Sequence, residues 1–257
     1  MRPIWKGSIG FGLLNIPVHL YGAVEESKLS FFTMDKKDNA RIRYKKVNEK
    51  TGKEVPQEDI VKGYQMGKNF VVLDDEDFEK ALPEKKDHIE IEQFVFEKEI
   101  NFLFFEKPYY LEPEKGGSRA YALLRDALKK ESKAALGTFV YHNSEWVCLI
   151  KAYGNALVMN RLRFAQEIRK EEELKLPEVK SNPAELKMAA MLIDQLTQPF
   201  KPELYKDEFT EKMLKIIEAK SKGKATSFKS MQVVHNTTVD LMEKLKASLK
   251  NPAKKAS

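Results

Sequence analysis

The sequence predicts an α+β protein, with a strand-rich body to about residue 170 and a helical region after it. Three observations predict this. Ile4 to Tyr21 alternates apolar with small or polar residues and carries Gly7, Gly10 and Gly12. Strands with that pattern bend sharply enough to coil into a barrel. Apolar residues then recur at period two in several runs between Ile89 and Phe164. Beyond Glu171-Glu172-Glu173 the apolar spacing becomes helical and is flanked by helix start and stop residues.

In chain order, Ile4 to Tyr21 reads as two strands and a bend, and Leu29 to Met34 as another strand. From Arg41 to Val55 the pattern is an exposed hairpin. Arg41, Arg43 and Lys45 point one way, Ile42 and Tyr44 the other, and Asn48 to Lys53 is the turn. Gln57 to Val61 reads as a short helix and Gly63 to Leu73 as a second hairpin. Asp74 to Asp77 caps a helix through Leu82, its acids placed where the helix dipole favours them. Ile89 to Phe105 is the strongest strand signal, with one shift in the middle; Pro108-Tyr109-Tyr110 and Pro113 follow, then Gly116-Gly117. Ser118 is the expected N-cap of a helix to about Ala135, with Tyr121, Leu124 and Leu128 inward and Arg125, Lys129 and Lys133 opposite. Thr138–Tyr141, Trp146–Tyr153 and Ala156–Phe164 form a meander, turning at Gly154-Asn155. In its last strand Leu157, Met159, Arg161 and Arg163 share a face. Asn182-Pro183 starts a helix with Leu186, Ala190, Ile193 and Leu196 facing in, and Pro199 and Pro202 end it. Asp207 to Lys222 is a second helix, with Phe209, Met213 and Ile216 or Ile217 facing in and Gly223 as its stop. Val234 to Leu249 is a third.

The 257 residues hold 45 Lys+Arg against 39 Asp+Glu, a net charge of +6. Fifteen Phe, nine Tyr and two Trp supply a core and exclude a disordered chain. No stretch approaches ~18 uncharged apolar residues, which excludes a membrane span. No leader pattern precedes the body, so the expected compartment is the cytoplasm. The charge alternates in blocks. Residues 36–70 hold ten basic and five acidic residues, 71–115 six and fourteen, 116–170 ten and four, and 210–257 eleven and four. A polyanion binder gathers positive charge on one surface and keeps acids elsewhere, while solvated faces give blocks too; charge alone leaves both readings open.

No motif assembles a reaction. Around Gly223-Lys224-Ala225-Thr226, Glu218 stands where a phosphate loop needs its first glycine and Ala follows the lysine. His19, His88, His142 and His235 lack metal-ligand spacing. Cys148 lies between Val147 and Leu149 in a strand pattern, so it reads as a buried structural thiol. One cysteine cannot pair internally or build a cysteine-based zinc site. The expectation is a binding protein with no cofactor and no metal.

Three strings carry a resemblance: MRPIWKGSIGFGLLNIPVHLY at the start, RIRYKKVNEKTGKEVPQEDIVKGYQMGKNFVVLDDEDFE from Arg41, and FKPELYKDEFTEKMLKIIEAKSKGK from Phe200. Together, in this order over nearly the whole chain, they resemble bacterial Ku proteins. The resemblance implies a Ku-type β-barrel core over residues 1–175, with a bridge over about 36–73 that closes a DNA-encircling ring in the dimer. It further implies a ligase-docking helical region over 176–250 and a short tail over 251–257. The implied activity is sequence-independent binding of double-stranded DNA ends as a homodimer, in a nucleoid-associated scaffold for non-homologous end joining that recruits the ATP-dependent DNA ligase D.

A ring that accepts any broken end needs phosphate contacts, which position without reading bases. Arg41, Arg43, Lys45, Lys46, Lys50, Lys53, Lys62 and Lys68 are the bridge candidates, with Arg119, Lys129, Lys130, Arg161 and Arg163 as a second group on the barrel. Ile42, Tyr44, Tyr64 and Phe70 are candidate dimer contacts, with internal core as the other reading. Phe200, Lys201, Tyr205, Phe209, Met213 and Lys220 are the candidate ligase contacts, although the same stripes equally suit an intramolecular core. Many bacterial relatives carry a long lysine-rich tail, whereas here only Lys250, Lys254 and Lys255 follow the last helix, which weakens tail-dependent functions. The rival reading is a general nucleic-acid-binding barrel without end preference. It needs aromatic stacking platforms amid the basic strand, for which Tyr44 and Tyr64 are the candidates.

Overall fold

The alternation of Ile16, Val18 and Leu20 puts three fully buried side chains on one face of a strand, and Ile9 faces them from its neighbour. In the computed structural model, which describes residues 1–25, 29–81, 88–142 and 144–223, these strands are Trp5–Phe11 (β1) and Leu14–Gly22 (β2), paired antiparallel. The chain then leaves as an arm and returns at His88. The arm holds the hairpin Lys62–Met66 (β3) and Asn69–Leu73 (β4) and the short helix Asp75–Ala81 (α1). His88–Val95 (β5), Phe105–Pro113 (β6), the helix Ser118–Glu131 (α2), Ala134–Tyr141 (β7), Ser144–Tyr153 (β8) and Ala156–Leu162 (β9) complete the body.

Seven of the described strands close a barrel in the order β1-β2-β6-β9-β8-β7-β5. Closure is made by a short parallel pairing of β1 with β5, from Ser8 against His88 to Gly10 against Glu90. At Gly137, β7 crosses close to β5. A methyl there would lie 2.3 Å from the Glu90 carbonyl oxygen, beside the register shift between Ile91 and Gln93. The interior is filled from both ends. At one mouth α2 inserts Tyr121, Leu124 and Leu128. The Tyr121 hydroxyl donates to the Leu111 carbonyl and accepts from the Leu157 amide, each at 2.6 Å, tying β6 to β9. At the other mouth Trp5, Tyr109, Phe139, Tyr141 and Trp146 pack together, with Phe139 5.4 Å from the rings of both tryptophans. A second cluster, Ala134, Leu149 and Leu162, lies on the outer face beneath Ile100, Phe104 and Phe105.

Several expectations are corrected. Leu29 to Met34 is not a strand; only an isolated bridge joins Met34 to Arg41. Arg41 to Val55 is not a regular hairpin. It has the expected turn, with Asn48 and Lys53 bonded, one bridge from Val47 to Glu54, and an unpaired approach. The Ile89–Phe105 strand ends at Val95, because two 3₁₀ turns follow, Glu97–Glu99 and Phe102–Phe104. Glu99 accepts from the Phe96 amide and Asn101 from the Leu103 amide, local bonds that compete with a sheet ladder. The segment from Phe105 to Pro113, to which the sequence assigns no element, is β6. Pro108 fits there because its carbonyl side faces only Ala23, at the end of the β2–β6 pairing, so no ladder donor is lost. Ser118 is the first helical residue rather than the cap, which is Gly117, and α2 ends at Glu131 because Ser132 adopts a left-handed conformation, φ 51°.

The chain divides into two units after Glu173. In the second, Pro183–Leu196 (α3) starts where Asn182 accepts from the Ala184 amide, and Glu208–Ser221 (α4) starts where Asp207 accepts from the Thr210 amide and hydroxyl. No described residue from 174 to 223 is buried. The expected inward stripe of α3 is corrected: Leu186, Ala190, Ile193 and Leu196 are exposed and Met188, Ala189 and Leu192 are the partly covered ones. The helix is apolar almost all round, so periodicity does not select a face. In α4 Met213 and Ile216 are partly covered while Phe209 and Ile217 are exposed. The expected third helix, the tail, His235 and Lys224 lie outside the described residues.

Candidate nucleic-acid interface

The arm is built unlike the barrel. From Leu29 to Ala81 none of the described residues is buried. What order it has is local. Gly67, at φ +65°, forms the first half of the two-residue Gly67-Lys68 turn of the β3–β4 hairpin. Asp74 accepts from the Asp77 amide while the Asp77 carboxylate accepts from the Asp74 amide, a reciprocal cap that starts α1.

The eight candidate cations of the arm fall into two groups. Four are engaged within the chain. The Arg41 guanidinium lies 3.7 Å from the centre of the Phe32 ring and the Lys62 ammonium 4.1 Å from Phe78. Lys45 pairs with Glu54 at 2.6 Å and Lys46 donates to Gln57 at 2.7 Å. The other four, Arg43, Lys50, Lys53 and Lys68, are exposed, and no ion pair or side-chain hydrogen bond ties them to a described residue. Lys50 and Lys53 flank one turn and Lys68 sits in the other.

The candidate dimer contacts Ile42, Tyr44, Tyr64 and Phe70 are all exposed, Tyr44 to 86 % and Phe70 to 71 %, so none belongs to an internal core. The register places Tyr64 opposite Val71 and Phe70 opposite Gln65, which puts Tyr64 and Phe70 on opposite faces of the hairpin. The arm also exposes Phe31, Phe32, Met34, Val61, Met66 and Val72, which the sequence reading passed over. The signal was present in β4, where Phe70 and Val72 on one phase and Val71 and Leu73 on the other leave neither side of the strand polar.

The second cationic group does not converge. Arg119 and Lys130 lie on the solvent face of α2 and Lys129 on its flank, at one mouth of the barrel. Arg161 and Arg163 lie at the other end of β9. The Arg161 guanidinium stacks 4.4 Å from the centre of Trp146 and pairs with Glu106 at 3.2 Å, so it lids the aromatic mouth. Arg163 donates to the Phe105 carbonyl at 2.8 Å and clamps the 3₁₀ segment against β9. Both therefore have partners inside the fold, a carboxylate for Arg161 and a carbonyl for Arg163.

Of the ligase-contact candidates, Phe200 and Tyr205 form an exposed pair with ring centres 5.8 Å apart. Lys201, Phe209 and Lys220 are exposed and Met213 is half-covered. Cys148 is fully buried, and that burial, with Glu92 nearby, pushes its thiol pKa up. Among the described residues no three His, Cys, Asp or Glu side chains group as metal ligands, and no helix is long and apolar enough to cross a membrane.

The family model described as the Ku70/Ku80 beta-barrel domain matches residues 10–188, from within β1 to within α3. The chain belongs to the Ku family. The barrel described above is therefore the Ku barrel, and the arm is an excursion within the matched region. Relatives agree over nearly their whole length. A protein of Coxiella burnetii named "Non-homologous end joining protein Ku" is 40% identical, with 98% of this chain and 96% of that protein covered. Proteins of the same name from Opitutus terrae and Archaeoglobus fulgidus are 39% and 37% identical, with 97% and 98% of their lengths covered.

Proposed function

We propose that this chain binds double-stranded DNA ends without regard to sequence and serves as a scaffold in non-homologous end joining. Two copies pair through their arms into a ring around the duplex. The observation that carries this reading is the arm, an ordered excursion of basic and large apolar side chains none of which is buried among the described residues. A two-stranded ribbon is marginal alone, and apolar surface of this extent marks an interface. One arm cannot enclose a helix, whereas two related by a two-fold axis can. Arg43, Lys50, Lys53 and Lys68 are the primary phosphate contacts because their charge is uncommitted. Arg41, Lys45, Lys46 and Lys62 reach DNA by exchanging their present partners. Arg119, Lys129 and Lys130 contribute on the barrel. The exposed Phe200–Tyr205 pair, with Lys201, Phe209, Met213 and Lys220, docks the ATP-dependent DNA ligase D. The scaffold performs no chemistry itself and works at the nucleoid in the cytoplasm.

The test compares linear duplex with a covalently closed circle of equal length, in moderate salt with competitor, alongside a solution mass. A ring binds the linear form and is a dimer. Equal affinity for both forms points to a barrel that binds nucleic acid without threading, and a preference for single strands points to stacking on Tyr44 and Tyr64.

A further inference from the structure

Away from the arm, at the α2 mouth of the barrel, lysines from separate elements gather beside two exposed rings. Lys129 from the end of α2, Lys133 just past it and Lys151 from β8 line a hollow of about 280 Å³ with Tyr153 and a single acid, Glu97. Lys151 is paired with that acid. Lys129 and Lys133 have no ion pair with a described residue. Beside the hollow the ring of Phe96 is 42% exposed, with the Lys98 and Lys133 ammonium groups 5.5 and 5.7 Å from its centre. Cations at a helix C-terminus answer its dipole, which accounts for Lys129. It does not account for Lys98 and Lys151, which come from other elements, nor for two exposed aromatic rings among them.

We propose that this hollow holds a single-stranded overhang of the broken end, lysines on its phosphates and Phe96 and Tyr153 beneath its bases. The inference rests on the reading of the chain as a binder of duplex ends and adds a second site to it. Lysine supplies point charges that suit phosphates without selecting a base. Bases in a duplex are already stacked on one another, whereas those of a single strand offer free faces to aromatic rings. An acidic peptide would satisfy the lysines and leave the rings uncovered.

The experiment measures binding of the full chain to a blunt duplex and to the same duplex with an oligothymidine overhang of about ten nucleotides. The variants are the double Lys98→Gln/Lys133→Gln and the single Tyr153→Ala, all at exposed positions. The parent chain is expected to prefer the overhang about tenfold. Each variant lowers that preference towards parity and leaves the blunt affinity in place. In the double variant the log–log salt slope for the overhang substrate falls by about 1.4, from two phosphate contacts on a single strand. No preference in the parent chain, or an equal loss on both substrates, overturns the proposal. So does a polyglutamate peptide that occupies the hollow when free oligothymidine does not. A parent chain that fails on blunt ends sinks the reading of the arm instead, and free oligothymidine then tests the hollow by itself with the same variants.

Discussion

The barrel and the arm are two answers to the same composition. The barrel places its apolar residues inward from every strand and closes both mouths, with α2 at one and an aromatic cluster under Arg161 at the other. The arm has apolar residues at comparable density and buries none of those described. In the barrel the buried large side chains pack on one another, so their burial goes into folding. In the arm the same chemistry is left for another molecule. The cations follow the same division: Arg161 and Arg163 are bonded into the barrel, while Arg43, Lys50, Lys53 and Lys68 project from the arm uncommitted.

The sharpest break of this comparison is a pair of aromatic truncations. Phe139→Ala removes a ring packed between Trp5 and Trp146 and is expected to cost about 3–5 kcal/mol in urea unfolding. Phe70→Ala is expected to stay within about 0.5 kcal/mol at protein concentrations low enough to separate copies, while weakening self-association in sedimentation. An arm substitution that unfolds the barrel as Phe139→Ala does would remove the distinction. Next in size, replacing Arg43, Lys50 and Lys53 together by Ala removes three contacts from each of two copies and is expected to flatten the log–log salt dependence of duplex binding by about 5.4, without moving the thermal midpoint. Arg161→Ala reverses that pattern. It is expected to cost about 1–2 kcal/mol of stability, through loss of the Trp146 stack and the Glu106 pair, with an unchanged salt slope. A changed slope with unchanged stability would return Arg161 to the DNA surface. The smallest effect concerns acid. Thr210 bonds hold the Asp207 carboxyl below its usual range. A carboxylate depressed in the folded state stabilises above its unfolded pKa, and that stability is lost as pH falls through the folded value. The protection of the Thr210 amide, measured against its intrinsic exchange rate, is therefore expected to fall on acidification below the ordinary carboxylate range, and Asp207→Asn to blunt that change.

Local chemistry made much of this legible. Asn182-Pro183, Asp207 and Gly223 delimit α3 and α4 because caps act within one turn. Gly67 marks the β3–β4 turn because few other residues adopt its conformation without strain. The basic run of the arm is visible as charge. The 3₁₀ segment was misread because Ile100, Phe102 and Phe104 repeat at two in a stretch whose amides are captured by Glu99 and Asn101. β6 gave no strand signal because Pro108 and Pro113 punctuate it, and the sequence does not say that Pro108 sits where the β2–β6 pairing ends. Arg161 and Arg163 looked like a paired cationic face because their partners, Trp146, Glu106 and the Phe105 carbonyl, are distant in sequence.

By itself the sequence determined where elements begin and end, which charges cluster, and to which family the chain is similar, because each depends on residues within a few positions of one another or on the whole string. Only the tertiary structure decided which cations are free, which apolar faces are left open and how β5 returns to close on β1. Those outcomes depend on neighbours brought together across tens of residues, and local periodicity carries no record of them.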